Sequence, residues 1–143
     1  MFSSPFLGLY FHRYIRQHGN KLVIRYVNCL RRRSDLTLSE FREYWNSSEF
    51  RFLVKRVAEV SSAESYLMSL TLQVEANLRL MEDRRSSEPF DGIIEYWWKD
   101  AANLIDIYDS PEGQKLIGEI LEFELAFIDL GASSAFFVEP QES

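Results

Sequence analysis

A chain of 143 residues, 46% apolar and 15% aromatic, is long enough to bury one ordinary core and too apolar to stay disordered. Its net charge of −6 would repel phosphate backbones, which argues against a nucleic-acid binder, and no apolar run is long enough to cross a bilayer. The lone Cys29 cannot close an internal disulfide and suits the reducing cytoplasm, and His12 and His18 lie outside the periodic part of the chain, so a zinc or haem site is not expected.

The charge is unevenly placed. Residues 1–33 carry seven Lys or Arg and no acid, whereas the remainder carries nine against twenty-two Asp or Glu. The Arg31–Arg33 run reads as a solvated turn, with a basic rim steering an anionic ligand as the sharper alternative. Residues 1–20 read as an extension, or an arm docked on a domain that spans 21–143. From Lys21 to Leu30 the residues alternate with both faces largely apolar, as in a strand covered on both sides. Thr37 and Glu40 form a capping box, and Leu38, Phe41 and Trp45 then follow at helical spacing. The stripe shifts at Asn46-Ser47-Ser48, which predicts a break and a second helix to about Val60.

Alternation returns from Tyr66 to about Leu80, predicting a second strand with one wetter face, and the polar stretch 81–89 reads as a loop. Phe90–Trp98 is the third strand. A short helix over about 101–108 follows, and Ser110-Pro111-Glu112 starts another: a cap, a proline at the first position and an acid in the first turn. That helix carries Leu116, Ile117, Ile120 and Leu121 toward Gly131, and the last strand covers 132–139. The order βαββαβ with right-handed crossovers gives an α+β, ferredoxin-like fold, a four-stranded antiparallel sheet of order 4-1-3-2 with the helices on one face. The other face keeps apolar side chains, so a second copy is expected to cover it in a homodimer, a dimeric α/β barrel.

Several side chains are candidates for chemistry. In this strand order Arg25 neighbours Asp91 and Glu95, either as a structural ion pair or as an anchor for an acidic ligand. Tyr44, Trp45 and Glu49 surround the predicted break. Trp45 fits the core, while a Glu49 facing an enclosed aromatic pocket would be a general acid or base beside Tyr44. Cys29 has no histidine to activate it and reads as a small buried residue. Trp97 and Trp98 put one indole on each face of the sheet.

The segments Phe41-Arg42-Glu43-Tyr44-Trp45, Phe90-Asp91-Gly92-Ile93-Ile94-Glu95-Tyr96-Trp97, Ser110-Pro111-Glu112-Gly113 and Ala135-Phe136-Phe137-Val138-Glu139 together resemble the EthD family, over about residues 21–140. The resemblance implies the dimeric α/β-barrel superfamily, which includes cofactor-free monooxygenases, isomerases, small polyketide-processing enzymes and haem enzymes. On that footing the chain is expected to act without a cofactor on a small apolar, aromatic or polyketide-like molecule, by proton transfer, dehydration or oxygenation. Glu49 and Tyr44 are then the catalytic candidates, with Trp45, Arg25, Glu95 and Trp97 lining a binding site. The alternative is a non-catalytic small-molecule-binding or accessory dimer in a degradation pathway. One departure stands out: family members commonly carry a histidine four residues after the helix tryptophan, and this chain has Glu49 there.

Overall fold

The computed structural model describes residues 23–141 together with Tyr10, Arg13 and Arg16; the rest of the expected extension 1–20 lies outside the described residues. Four strands, β1 (Ile24–Leu30), β2 (Ser65–Leu70), β3 (Gly92–Trp98) and β4 (Ser134–Val138), form one antiparallel sheet in the order β2-β3-β1-β4. This is the ferredoxin-like arrangement expected from the alternation pattern.

Helices α1 (Leu38–Asn46) and α2 (Ser48–Val60) connect β1 to β2. The Thr37–Glu40 capping box starts α1 with bonds of 3.1 and 2.9 Å. Ser47 then ends one helix and begins the next. Its backbone N–H and hydroxyl donate to the Tyr44 carbonyl, while the same Oγ accepts from Phe50 N at 3.2 Å. The predicted break is therefore one residue with both of its neighbours capped. It turns Trp45 and Phe50 into one core cluster, their ring centroids 5.9 Å apart.

The second strand corrects the sequence reading. It stops at Leu70, and Glu75–Arg84 forms a helix, α3, where a strand ending near Leu80 and then a loop were expected. Polar and apolar residues do alternate through this stretch, but β3 begins only at Gly92, so no neighbouring strand remains to pair beyond Leu70. Local i→i+4 bonds then satisfy the backbone instead.

After β3, α4 (Ala101–Asp109) and α5 (Pro111–Glu124) return the chain across the sheet, with Ser110 Oγ accepting from Gly113 N at 3.0 Å. The long helix ends earlier than expected, and a 3-10 turn over Leu130–Ala132 leads into β4.

Strand alternation divides the sheet cleanly. Ile24, Tyr26, Leu30, Ile94, Tyr96 and Trp98 face the helices and join Phe41, Trp45, Phe50, Val54, Leu104 and Phe127 in the core. Trp98 donates its indole N–H to the Ser61 carbonyl and hydroxyl at 3.2 and 3.1 Å, so its buried polar edge is satisfied. Gly92 lies against Trp45; a Cβ there would come within 2.6 Å of the indole.

The three arginines after β1 tie loops together. Arg31 reaches the carbonyls of Glu88, Pro89 and Ala132 and lies 4.5 Å from the centre of the Phe90 ring. Arg32 bonds the Leu36 carbonyl and pairs with Asp91, and Arg33 holds Asp35 and the Leu125 carbonyl. A merely solvated turn does not describe them.

Candidate functional site

The residues expected around the helix break do not converge on an enclosed space. Glu49 is exposed in the first turn of α2, where its charge complements the helix N-terminus. Tyr44 is partly exposed and stacks on Phe127 at 5.3 Å between ring centroids. Trp45 is fully buried core, packed on Phe41 and Phe50.

Arg25, Glu95 and Trp97 do meet, on the sheet face away from the helices. Arg25 lies 4.8 Å above the Trp97 ring, its partner in the β1–β3 register, and its Nη1 is 3.6 Å from Glu95 Oε1. Asp91 is not its partner: that carboxylate accepts from Arg32 N at 2.8 Å. The three form a half-exposed polar spot within an apolar surface of Val27, Ile93, Leu67, Phe136 and Val138.

A half-open pocket lies on the other side of the sheet. A cavity of about 410 Å³ opens between the core-facing residues of β1, β3 and β4 and helices α4 and α5. Its walls are Ile94, Trp98, Leu104, Ile107, Ile117, Ile120 and Phe137, and its polar atoms come from Tyr26, Asn28, Tyr96, Tyr108 and Glu124. Volume and lining suit a small, largely apolar molecule with a few oxygen atoms.

Glu124, in the last turn of α5, is 4% exposed, and among the described residues no cation and no hydrogen-bond donor reaches its carboxyl. Burial alone raises it from the ordinary 4.5 to about 7, because the apolar surroundings disfavour the charged form. Tyr26 is shifted well above the ordinary phenol value, first by burial and then by the nearby Glu124 and Tyr108. Burial pushes Tyr108 up to about 12. Both phenols therefore stay protonated and serve as donors, while Glu124 can hold or release a proton near neutrality. The Tyr96 hydroxyl is already committed to the Val54 carbonyl at 2.8 Å. Asn28, 9% exposed, adds an amide.

Glu124 was absent from the sequence reading, although a signal for it exists. It falls seven residues after Ile117, four after Ile120 and three after Leu121, on the same stripe that faces the sheet. A carboxylate inside an apolar stripe is the pattern that marks a perturbed group. Glu119 and Glu122 lie off that stripe and more exposed.

An antiparallel sheet covered by helices on one face, with a cavity and a buried carboxylic acid between the layers, defines an α+β protein of the ferredoxin-like class. The EthD domain model matches residues 33–130, over two thirds of the chain, and the protein belongs to that family. Among solved structures, it is similar to a dimeric protein of unknown function with a ferredoxin-like fold from Bacteroides fragilis. The two are 9% identical with a TM-score of 0.54, and the match covers 82% of this chain and 95% of the other. No curated protein matches. Among the described residues no cluster of His, Cys, Asp and Glu side chains could hold a metal ion, and no helix is long and apolar enough to cross a membrane.

Proposed function

We propose that this chain is a cofactor-independent proton-transfer enzyme for a small apolar, aromatic or polyketide-like ketone, with Glu124 as its acid–base group. The single observation that carries the reading is a buried carboxyl, without a hydrogen-bond partner among the described residues and raised to about 7, inside an aromatic-walled cavity. A group with that value is half-deprotonated at neutral pH, the poise that general acid–base catalysis favours.

In the step proposed, Glu124 as carboxylate takes a proton from a carbon next to the substrate carbonyl. The C–H electron pair moves into the new C=C bond and the carbonyl pair moves onto oxygen, where a Tyr26 or Tyr108 hydroxyl donates a hydrogen bond. The protonated Glu124 then returns its proton to another carbon, giving an isomer, or to a departing hydroxyl, giving dehydration. Glu49 and Tyr44 take no part, because neither faces the cavity.

The working unit is a homodimer. Its interface is the open face of the sheet, where Leu67 is 51% and Phe136 is 44% exposed beside Val27, Ile93 and Val138. Apolar surface on that scale favours a partner. The dimeric state of the similar solved structure supports this reading.

The test is solvent deuterium incorporation into a panel of aromatic and cyclic ketones, followed by NMR with wild type and Glu124→Gln. Exchange that rises through pH 7 and is lost in Glu124→Gln is expected. Binding without exchange in the wild type would replace this reading with that of an accessory binding dimer.

A further inference from the structure

We propose that Asn28 decides which ketone the cavity accepts: its side-chain amide holds a hydroxyl group of the substrate, which is therefore a hydroxyketone with its second oxygen set apart from the reacting carbonyl. This rests on the reading of the cavity as a ketone site and adds the class of molecule that fills it.

The first observation is an amide in a place where a sheet has no use for one. Asn28 stands in β1, a strand paired on both edges, with Ile94 beside it on β3 and Ala135 on β4. It shares the helix-facing side with Ile24, Tyr26 and Leu30, and asparagine is among the residues that strands avoid. Its side chain lines the cavity and the residue is only 9% exposed. Among the described residues that amide makes no hydrogen bond. A buried amide without a partner costs stability that an apolar side chain of the same size does not. Where a residue breaks the local rule and nothing in the chain compensates, the position serves function rather than folding.

The second observation is what the neighbouring polar groups already do. The Tyr96 hydroxyl is held by the Val54 carbonyl at 2.8 Å. Glu124 is shifted by burial and by no hydrogen bond, so the amide is not engaged by that carboxyl either. Glu124 in turn acts on Tyr26, which puts those two at one end of the cavity, the end of the proposed proton transfer. Asn28 lies two residues further along the strand, a rise of about 7 Å. Ala135, opposite it on β4, is small and exposed, so no bulky side chain closes over the amide from that strand.

Donor and acceptor chemistry selects the group. The phenols already supply O–H donors for a carbonyl oxygen, and the carboxylate is reserved for the proton on carbon. What asparagine adds is a strong neutral acceptor, its Oδ1, and the substituent that needs one is a hydroxyl. An anionic substituent is disfavoured, because no Lys, Arg or His lines the cavity and Glu124 does.

The experiment uses the full chain and three probes: tetralone, its ring-hydroxylated isomers and the matching methoxy compounds. Calorimetry gives their dissociation constants for wild type and for Asn28→Leu, and thermal melts follow the ligand-free proteins. In wild type one hydroxylated isomer is expected to bind more than about 10-fold tighter than both tetralone and its methoxy counterpart. In Asn28→Leu that preference is expected to vanish, with tetralone itself bound at least as well and the melting temperature no lower. Equal binding of all probes by wild type, or a hydroxyl preference that survives in the variant, would overturn the inference. A variant that melts lower while keeping the preference would make Asn28 a structural residue and overturn it equally. Should leucine prevent folding, Asn28→Val, the better strand former, gives the same outcomes. Deuterium exchange in the same ketones separates the two readings. Exchange without hydroxyl preference removes the role of Asn28 and leaves the proton transfer standing, whereas preference without exchange removes the proton transfer and leaves the role of Asn28. Failure of every probe to bind would overturn both.

Discussion

Replacing Glu124 by glutamine is expected to remove a pH-dependent instability from the fold. In the native state burial holds the carboxyl near 7, whereas in the unfolded chain it titrates near 4.5. Below 4.5 both states are protonated and the group costs nothing. As pH rises from 4.5 to 7 the unfolded chain loses the proton while the native state keeps it, so native stability falls through that window. Above 7 both are ionised and the full penalty stands. A difference of about 2.5 pK units at 1.36 kcal/mol each amounts to about 3 kcal/mol. Glu124→Gln, nearly isosteric and always neutral, is expected to match wild type at pH 4 and to exceed it by about that amount at pH 8. Urea unfolding followed by tryptophan fluorescence, at one fixed protein concentration, measures both. Every other titrating group cancels in the difference between the two proteins. Parallel stability curves from pH 4 to 8 would show that the carboxyl is hydrated or paired, and the catalytic reading would lose its foundation.

Gly113→Ala is expected to destabilise by about 3 kcal/mol or more, because its Cβ would lie 2.1 Å from the Ile107 carbonyl oxygen and force α4 away from α5. The usual gain of about 1 kcal/mol for alanine over glycine in a helix is too small to offset that, and thermal melts decide the sign. Thr37→Ala removes the capping box and is expected to cost about 1 kcal/mol in chemical denaturation. Arg25→Ala is expected to cost no more than about 1 kcal/mol in the isolated subunit, since its pair with Glu95 is long and half-exposed; sedimentation equilibrium should show a larger effect on dimerisation.

The layer that carries strong periodicity was readable from residues alone. Asn46-Ser47-Ser48 announced the break, the Trp97-Trp98 tandem announced two faces, and the β1–β3 neighbourhood followed from crossover handedness. Two things were not. The alternation of residues 66–80 continues past Leu70, and only the position of the neighbouring strand, a tertiary fact, stops β2 there. The expected enclosure around Glu49 is absent for a related reason. Glu49 was attractive because it lies beside aromatic residues in the chain, but a helix turns neighbouring positions to different sides, and Phe50 goes inward while Glu49 goes out. Glu124 was hidden as one of four glutamates of one helix, distinguishable only by counting from Ile117.

The contact between Trp45 and Gly92 has a consequence for how this protein can change over time. An indole from α1 occupies the space that any side chain on the first residue of β3 would need. The two positions share one volume, so neither can drift independently. A bulkier residue at 92 is tolerable only after 45 has shrunk, and a smaller residue at 45 opens a hole until 92 grows to fill it. Each single step passes through a less stable intermediate, so the two sites are expected to move as a pair or to stay fixed. Glycine at 92 should accordingly be as invariant as a catalytic residue in sequences that keep tryptophan at 45, although it performs no chemistry.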